Sequence, residues 1–187
     1  EPDEKRDYLF RAGQLYEDVL DLPEAAIDVY KRVLRVEAED VGALDKLIQL
    51  HSRLGQWERL LEAYGQKADV IADPDEKKAL YAHVGSVYES QLSQPEKAIE
   101  TYQRVLDLDP EDLTALGRLD ALYLGAGKSD ELLSILEREA ELAGDPLAAI
   151  DLRYRIGELY EQKLNDAYRA VETYRDILDH VPDHAAT

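Results

Sequence analysis

Gly13-Gln14-Leu15-Tyr16-Glu17 returns as Gly85-Ser86-Val87-Tyr88-Glu89 and again as Gly157-Glu158-Leu159-Tyr160-Glu161, each time 72 residues further on. Tyr30, Tyr102 and Tyr174 keep the same interval, as do Pro2-Asp3-Glu4-Lys5 and Pro74-Asp75-Glu76-Lys77. Residues 1–72 and 73–144 are identical at 26 of 72 positions without a gap, and the remaining 43 residues match the second copy at 14. Such a period marks a repeat architecture, in which each unit buries its apolar face only against its neighbours. The 187 residues are thus two full periods and 43 residues of a third.

Each period divides into two helical hairpins. Leu9, Ala12, Leu15, Tyr16, Val19 and Leu20 recur at the spacing of one helix face, and the pattern resumes after Pro23 as Ala26, Ile27, Tyr30, Val33 and Leu34. The second hairpin runs Leu44, Leu47, Ile48, Leu50 and Leu54, turns at Gly55, and continues with Trp57, Leu60, Leu61 and Tyr64. Its counterpart turns at Gly127, between Leu116, Leu119, Leu122 and Tyr123 on one side and Leu132, Leu133 and Leu136 on the other. Pro23 and Pro95 suit a first helical turn, which needs no N–H, and Asp73 and Asp145 read as N-caps before Pro74 and Pro146. The spacing predicts ten helices, at 3–20, 23–36, 40–54, 57–72, 74–92, 95–107, 112–125, 129–143, 146–164 and 167–180. No stretch alternates with the period of a strand, so the chain is expected to be all-α, one domain over 1–187 with hairpins 1–38, 39–72, 73–110, 111–144 and 145–182.

These residues resemble the tetratricopeptide repeat, with its small-Gly-x-x-Tyr in the first helix, Ala-x-x-x-aromatic in the second and Pro at the exit. The first hairpin offers Leu9, Ala12, Gly13, Tyr16, Ala26 and Tyr30, with Ala38 where Pro is usual. The third offers Tyr81, Val84, Gly85, Tyr88, Ala98, Tyr102 and Pro110, and the fifth Arg153, Ile156, Gly157, Tyr160, Ala170, Tyr174 and Pro182. The odd hairpins carry one extra residue between the Gly and the Ala, and the even ones place Ile48 and Asp120 at the Gly position. The resemblance covers essentially the whole chain. It implies a right-handed α-solenoid of stacked antiparallel helix pairs, acting as a non-catalytic protein-binding scaffold.

Composition narrows the partner. The chain has 22 Lys and Arg against 41 Asp and Glu, a formal net charge of −19. That works against nucleic acid and anionic lipid, which both require clustered cations. Zero Cys removes disulfides, Cys-based metal sites and cysteine nucleophiles, and no apolar run is long enough for a membrane span or a leader. The chain reads as soluble, and cytoplasmic rather than secreted. Its first residue is Glu1, so it reads as a segment of a longer repeat protein whose targeting signal lies elsewhere.

The resemblance further implies a concave groove lined by the first helix of each hairpin. Its positions here include Asp7, Phe10, Gln14, Glu17 and Asp18, then Gly42, Asp45, Gln49 and Arg53, then Glu89, then Gly117, and finally Asp151, Tyr154, Glu158 and Glu161. The family's clamp for a partner's terminal carboxylate uses Lys, Arg and Asn; here Arg53 is the one basic groove position and Asn is absent, so that clamp is not expected. Carboxylates at helical spacing beside Phe10 and Tyr154 suit a basic or amphipathic segment instead. The plainer reading is a solvated acidic face, since the charge is spread over all three periods. Another reading is a structural spacer that stacks end to end with other repeats or copies of itself, because Pro182 to Thr187 resembles the start of a further unit.

Other motifs dissolve on inspection. His180 and His184 are four apart but separated by Pro182, so no metal is assigned to them, and His51 replaces the Tyr123 of the next copy as a packing residue. The tyrosine series is the repeat core rather than a stacking ladder for bases. Gly125-Ala126-Gly127-Lys128-Ser129 lacks the full phosphate-loop frame and reads as the turn equivalent to Gly55. No nucleophile, base and orienting group can be nominated together, so neither catalysis nor a cofactor is expected.

Overall fold

A computed structural model of the chain describes residues 2–180. They form ten α-helices: α1 Pro2–Asp18, α2 Pro23–Val36, α3 Val41–Arg53, α4 Trp57–Val70, α5 Pro74–Ser90, α6 Pro95–Leu108, α7 Leu113–Ala126, α8 Ser129–Leu142, α9 Pro146–Gln162 and α10 Ala167–His180. No strand occurs among the described residues. The chain divides into two compact units, Glu1–Ser93 with α1 to α5 and Gln94–Thr187 with α6 to α10. Within each unit every helix packs on its neighbours in sequence.

The helix starts follow from the residues that precede them. Asp40 accepts from the Ala43 amide at 2.8 Å and Asp112 from the Ala115 amide at 2.9 Å. Asp73 and Asp145 cap α5 and α9 through the amides of Asp75 at 2.9 Å and Leu147 at 3.2 Å. Each satisfies an amide that the helix itself cannot. The long first helices end two residues before the periodicity predicts, because the chain turns sharply through a left-handed residue that recurs every 72 positions. Asp21, Ser93 and Asn165 have φ of 49°, 51° and 53°. This turn absorbs the extra residue of the odd hairpins.

In unit 1, Leu9 of α1 packs with Ala26, Ile27, Val29, Tyr30 and Val33 of α2, with Ala43, Leu47 and Leu50 of α3 and with Ala63 of α4. A second cluster joins Ala68 and Ile71 to Leu80 of α5. Unit 2 repeats the plan: Ala98, Ile99 and Val105 of α6, Leu116 and Leu119 of α7, Leu132 and Leu136 of α8, Ile150 and Leu159 of α9 and Ile177 of α10 are buried. At about 1.5–3 kcal/mol for each fully buried large side chain, this burial is the dominant favourable contribution in both units.

Three apolar positions of α1 depart from expectation. The periodicity puts Leu15, Val19 and Leu20 on the buried stripe, yet they are 51%, 69% and 55% exposed. Leu159, which holds Leu15's place in the third copy, is only 7% exposed, because α9 has α8 packed beside it. Among the described residues no helix covers that side of α1.

Candidate functional site

The face of unit 1 lined by α1 and α3 holds a cleft of about 660 Å³. Phe10, Gln14, Asp7, Asp18 and Gly42, all groove positions in the sequence, line it. Arg6, Arg11, Leu15 and Val19 line it too. Asp7, Arg11, Gln14 and Asp18 follow one helical stripe, which is why α1 presents them together. Phe10 forms the inner wall, edge-on to Tyr30 with ring centroids 5.4 Å apart. Gly42 leaves room for it: a Cβ there would fall 3.3 Å from Phe10 Cε2.

The charge of this cleft is mixed. Arg6 and Arg11 stand at its wall, and Arg53, the basic groove position, does not line it. Arg6 is committed to the protein: its Nε donates to Asp40 at 2.6 Å and lies 3.1 Å from Glu37, and its other arm meets Asp7 at 2.9 Å. Asp40 is buried, so one carboxylate both caps α3 and holds the guanidinium. Arg53 lies 3.7 Å from Asp21.

Several acidic candidates also have structural partners. Glu17 accepts from the Tyr30 hydroxyl at 3.1 Å and pairs with Lys46 at 3.1 Å. Glu161 accepts from the Tyr174 hydroxyl at 3.2 Å, the same bond in the third copy. Burial, and then this bond, push the Tyr174 phenol up to about 12; burial and Glu17 push Tyr30 up as well. Asp45 accepts from Lys67 at 2.8 Å, and Lys67 also reaches Glu76 at 3.4 Å. Gln49 is exposed on α3 and Glu89 half-buried on α5.

In unit 2, Tyr154 packs against Tyr174 with centroids 5.7 Å apart, while Asp151 is exposed and Glu158 half-buried on the same helix. Neither Asp151 nor Glu158 makes a hydrogen bond or ion pair among the described residues. Asp120, the odd residue at the Gly position, is held by Arg155 through two hydrogen bonds of 2.7 and 2.9 Å. The hydrogen bonding to Asp120 raises the Arg155 pKa. Beside this pair Glu139 keeps one buried carboxylate oxygen without a hydrogen-bond partner. Burial, and then Asp120, raise the Glu139 pKa.

The remaining motifs fall where packing puts them. His51 is buried, and Gly127 turns α7 into α8 at φ 67°. His184 and Pro182 lie outside the described residues, as does the side chain of His180. No helix of the described residues is long and apolar enough to cross a membrane.

Paired antiparallel helices, with Gly13 under Tyr30 and Gly157 under Tyr174, and a first-helix face left open define an all-α helical-repeat protein of the solenoid class. Residues 79–112 and 151–184 match the tetratricopeptide repeat, two stretches themselves 72 residues apart. Each of these two stretches is a tetratricopeptide repeat. The chain is 26% identical over 166 residues to Tetratricopeptide repeat protein 8 of Caenorhabditis elegans, covering 89% of this chain and 32% of that protein. It thus spans about a third of that relative's length. Its fold is similar to MamA, at TM-score 0.55 and 21% identity over 95% of this chain and 92% of that one. It is also similar to YrrB, a tetratricopeptide-repeat protein described as having an unusual peptide-binding site, at TM-score 0.52 and 21% identity over 95% and 87% of the two chains.

Proposed function

We propose that this chain is a non-catalytic protein-interaction module whose first-helix faces receive an amphipathic segment with basic side chains. The observation that carries the reading is the unit 1 cleft, where exposed Leu15 and Val19 stand beside Gln14 and Asp18. Apolar surface next to uncommitted polar groups is what an amphipathic helix or extended peptide complements. On unit 2 the acidic side rests on Asp151 and Glu158, which make no hydrogen bond or ion pair among the described residues, with Tyr154 as the aromatic neighbour. Glu17, Asp45 and Glu161 contribute less to recognition, because Lys46, Lys67 and the two tyrosines already occupy them. The peptide-binding site of YrrB supports the reading by likeness of fold.

The test is calorimetric titration with a synthetic Leu/Lys amphipathic peptide. Phe10→Ala, and separately Asp151→Lys with Glu158→Lys, are expected to weaken binding several-fold, and added salt to weaken it further. Binding that ignores salt and both variants would overturn the proposal.

A second reading, end-to-end association with further repeats, rests on the outer face of α10. Val171 is 47% exposed there, whereas Ile27, at its place in α2, is 5% exposed beneath α3. Light scattering across concentration tests it: a strict monomer throughout would count against self-association.

A further inference from the structure

Unit 1 has a second cleft, of about 320 Å³, between α2 and α4 above α3, and it shares no residue with the first. Every residue that lines it has a counterpart 72 positions on that lines a cleft of about 430 Å³ in unit 2. The pair is a natural comparison, one backbone frame carrying two sets of side chains. Both have an apolar floor, Leu34 and Leu47 in the first and Leu106 and Leu119 in the second. Their rims differ in charge. Lys31, Arg35 and Arg59 rim the first, with Glu62 as its one carboxylate; those four positions in the second are Gln103, Asp107, Glu131 and Ser134. The second cleft has one cation, Arg138 at the place of Gln66, and it donates to the Pro110 carbonyl.

Among the described residues Lys31, Arg35 and Arg59 make no hydrogen bond or ion pair, although carboxylates outnumber cations by 41 to 22 in this chain. Lys31 and Arg35 stand one helical turn apart on α2, facing Arg59 across the cleft. Beneath them His51 is 2% exposed, and its Nδ1 lies 2.8 Å from Gln56 Oε1. Burial lowers the His51 pKa, the hydrogen bond to Gln56 opposes this, and Lys31 and Arg59 lower it further while Glu62 raises it. In the sister cleft the corresponding Tyr123 hydroxyl accepts instead from Gln103 at 2.8 Å, so the rim there is tied to the floor. The first cleft keeps its cations for something else.

We infer that this cleft docks a short acidic segment of a protein partner through its carboxylate or phosphate oxyanions. Three unpaired cations over an apolar floor match an oxyanion carried on a peptide, whose methylene groups cover Leu34 and Leu47. The size suits one or two side chains. A long polyanion does not fit the surroundings: the chain carries −19 overall, and that repulsion extends about 8 Å even at physiological salt. The occupant is therefore short, and the site stands apart from the first-helix faces and prefers the opposite charge.

The experiment titrates the full chain, at physiological ionic strength, with hexaglutamate, with a phosphoserine hexapeptide and with inorganic phosphate. Lys31→Gln with Arg35→Asp and Arg59→Glu converts the rim to residues that the sister cleft already accommodates, and circular dichroism checks the fold. The expected result is peptide binding that weakens at least tenfold in this variant. The reciprocal change, Gln103→Lys with Asp107→Arg and Glu131→Arg, is expected to raise the stoichiometry from one peptide to two. Unchanged affinity in the first variant, or no binding of either peptide, would overturn the assignment. Inorganic phosphate binding as tightly as the peptides would overturn the protein partner. The Leu/Lys titration of the first-helix faces is unaffected by any of these outcomes.

Discussion

Tyr30 Cε1 stands 2.7 Å from the point where a Cβ on Gly13 would fall. The ring has nowhere to go, since Phe10 lies edge-on to it and its hydroxyl is held by Glu17. Gly157 and Tyr174 repeat the contact in the third copy. In these two hairpins the Gly of the pentapeptide is therefore a site of close approach between first and second helix.

Gly13→Ala is expected to destabilise unit 1 by about 1–3 kcal/mol, the usual cost of overpacking a filled core. Gly65→Ala in α4, where nothing lies within 4 Å of the added Cβ, is expected to stabilise by about 0.5–1 kcal/mol through helix propensity. Urea midpoints of the two variants, moving in opposite directions, check both.

The left-handed turn makes a second prediction. Ser93 sits at φ 51°, a conformation that costs a side-chain-bearing residue about 1–2 kcal/mol. Ser93→Gly removes that strain and adds unfolded-state freedom, for a net gain of about 0.5 kcal/mol. Thermal unfolding of this variant is expected to shift upward by a few degrees at most.

Glu139 gives a pH dependence with a definite sign. Its pKa is raised in the folded chain above the ordinary glutamate value of 4.5, so the folded state binds the proton more tightly than the unfolded one. The contribution of this group is most favourable below 4.5 and is lost as pH rises through the raised value. Glu139→Gln is therefore expected to stabilise at pH 7 by less than about 1 kcal/mol, an unsatisfied acceptor discounted for partial exposure, and to make no difference at pH 4. Urea titrations at the two pH values read this directly.

The Asp120–Arg155 pair predicts non-additivity. Ile48 and His83 hold these places 72 positions earlier, so the ion pair itself does not recur along the repeat. Asp120→Ile alone removes both hydrogen bonds of the Arg155 guanidinium, and Arg155→His alone leaves the Asp120 and Glu139 carboxylates together. The double variant is expected to lose less stability than the two single losses added, with a coupling of at least about 0.5 kcal/mol in a double-mutant cycle.

What repeats was legible in the sequence, and what varies between copies was not. Ten helices, the caps Asp73 and Asp145 and the packing role of His51 follow from periodicity and register. The exposure of Leu15 and Val19 was hidden because burial depends on whether a neighbouring helix covers that side of α1. The Asp120–Arg155 bond joins positions 35 apart that are apolar or imidazole in the other copy, so no pattern announces it. Lys31, Arg35 and Arg59 disappear into a segment whose average is acidic. Only the packing of α2 on α3 and α3 on α4 gathers them.

The proposed recognition surface is the set of first-helix faces. Amide chemical-shift mapping of the chain saturated with the Leu/Lys peptide tests it most directly. Shifts are expected at Asp7, Phe10, Gln14 and Gln49 in unit 1 and at Asp151, Tyr154 and Glu158 in unit 2, with α2 and α4 around Lys31 and Arg59 unmoved. Shifts confined to α2 and α4, or none at any of the named first-helix residues at saturation, would contradict it.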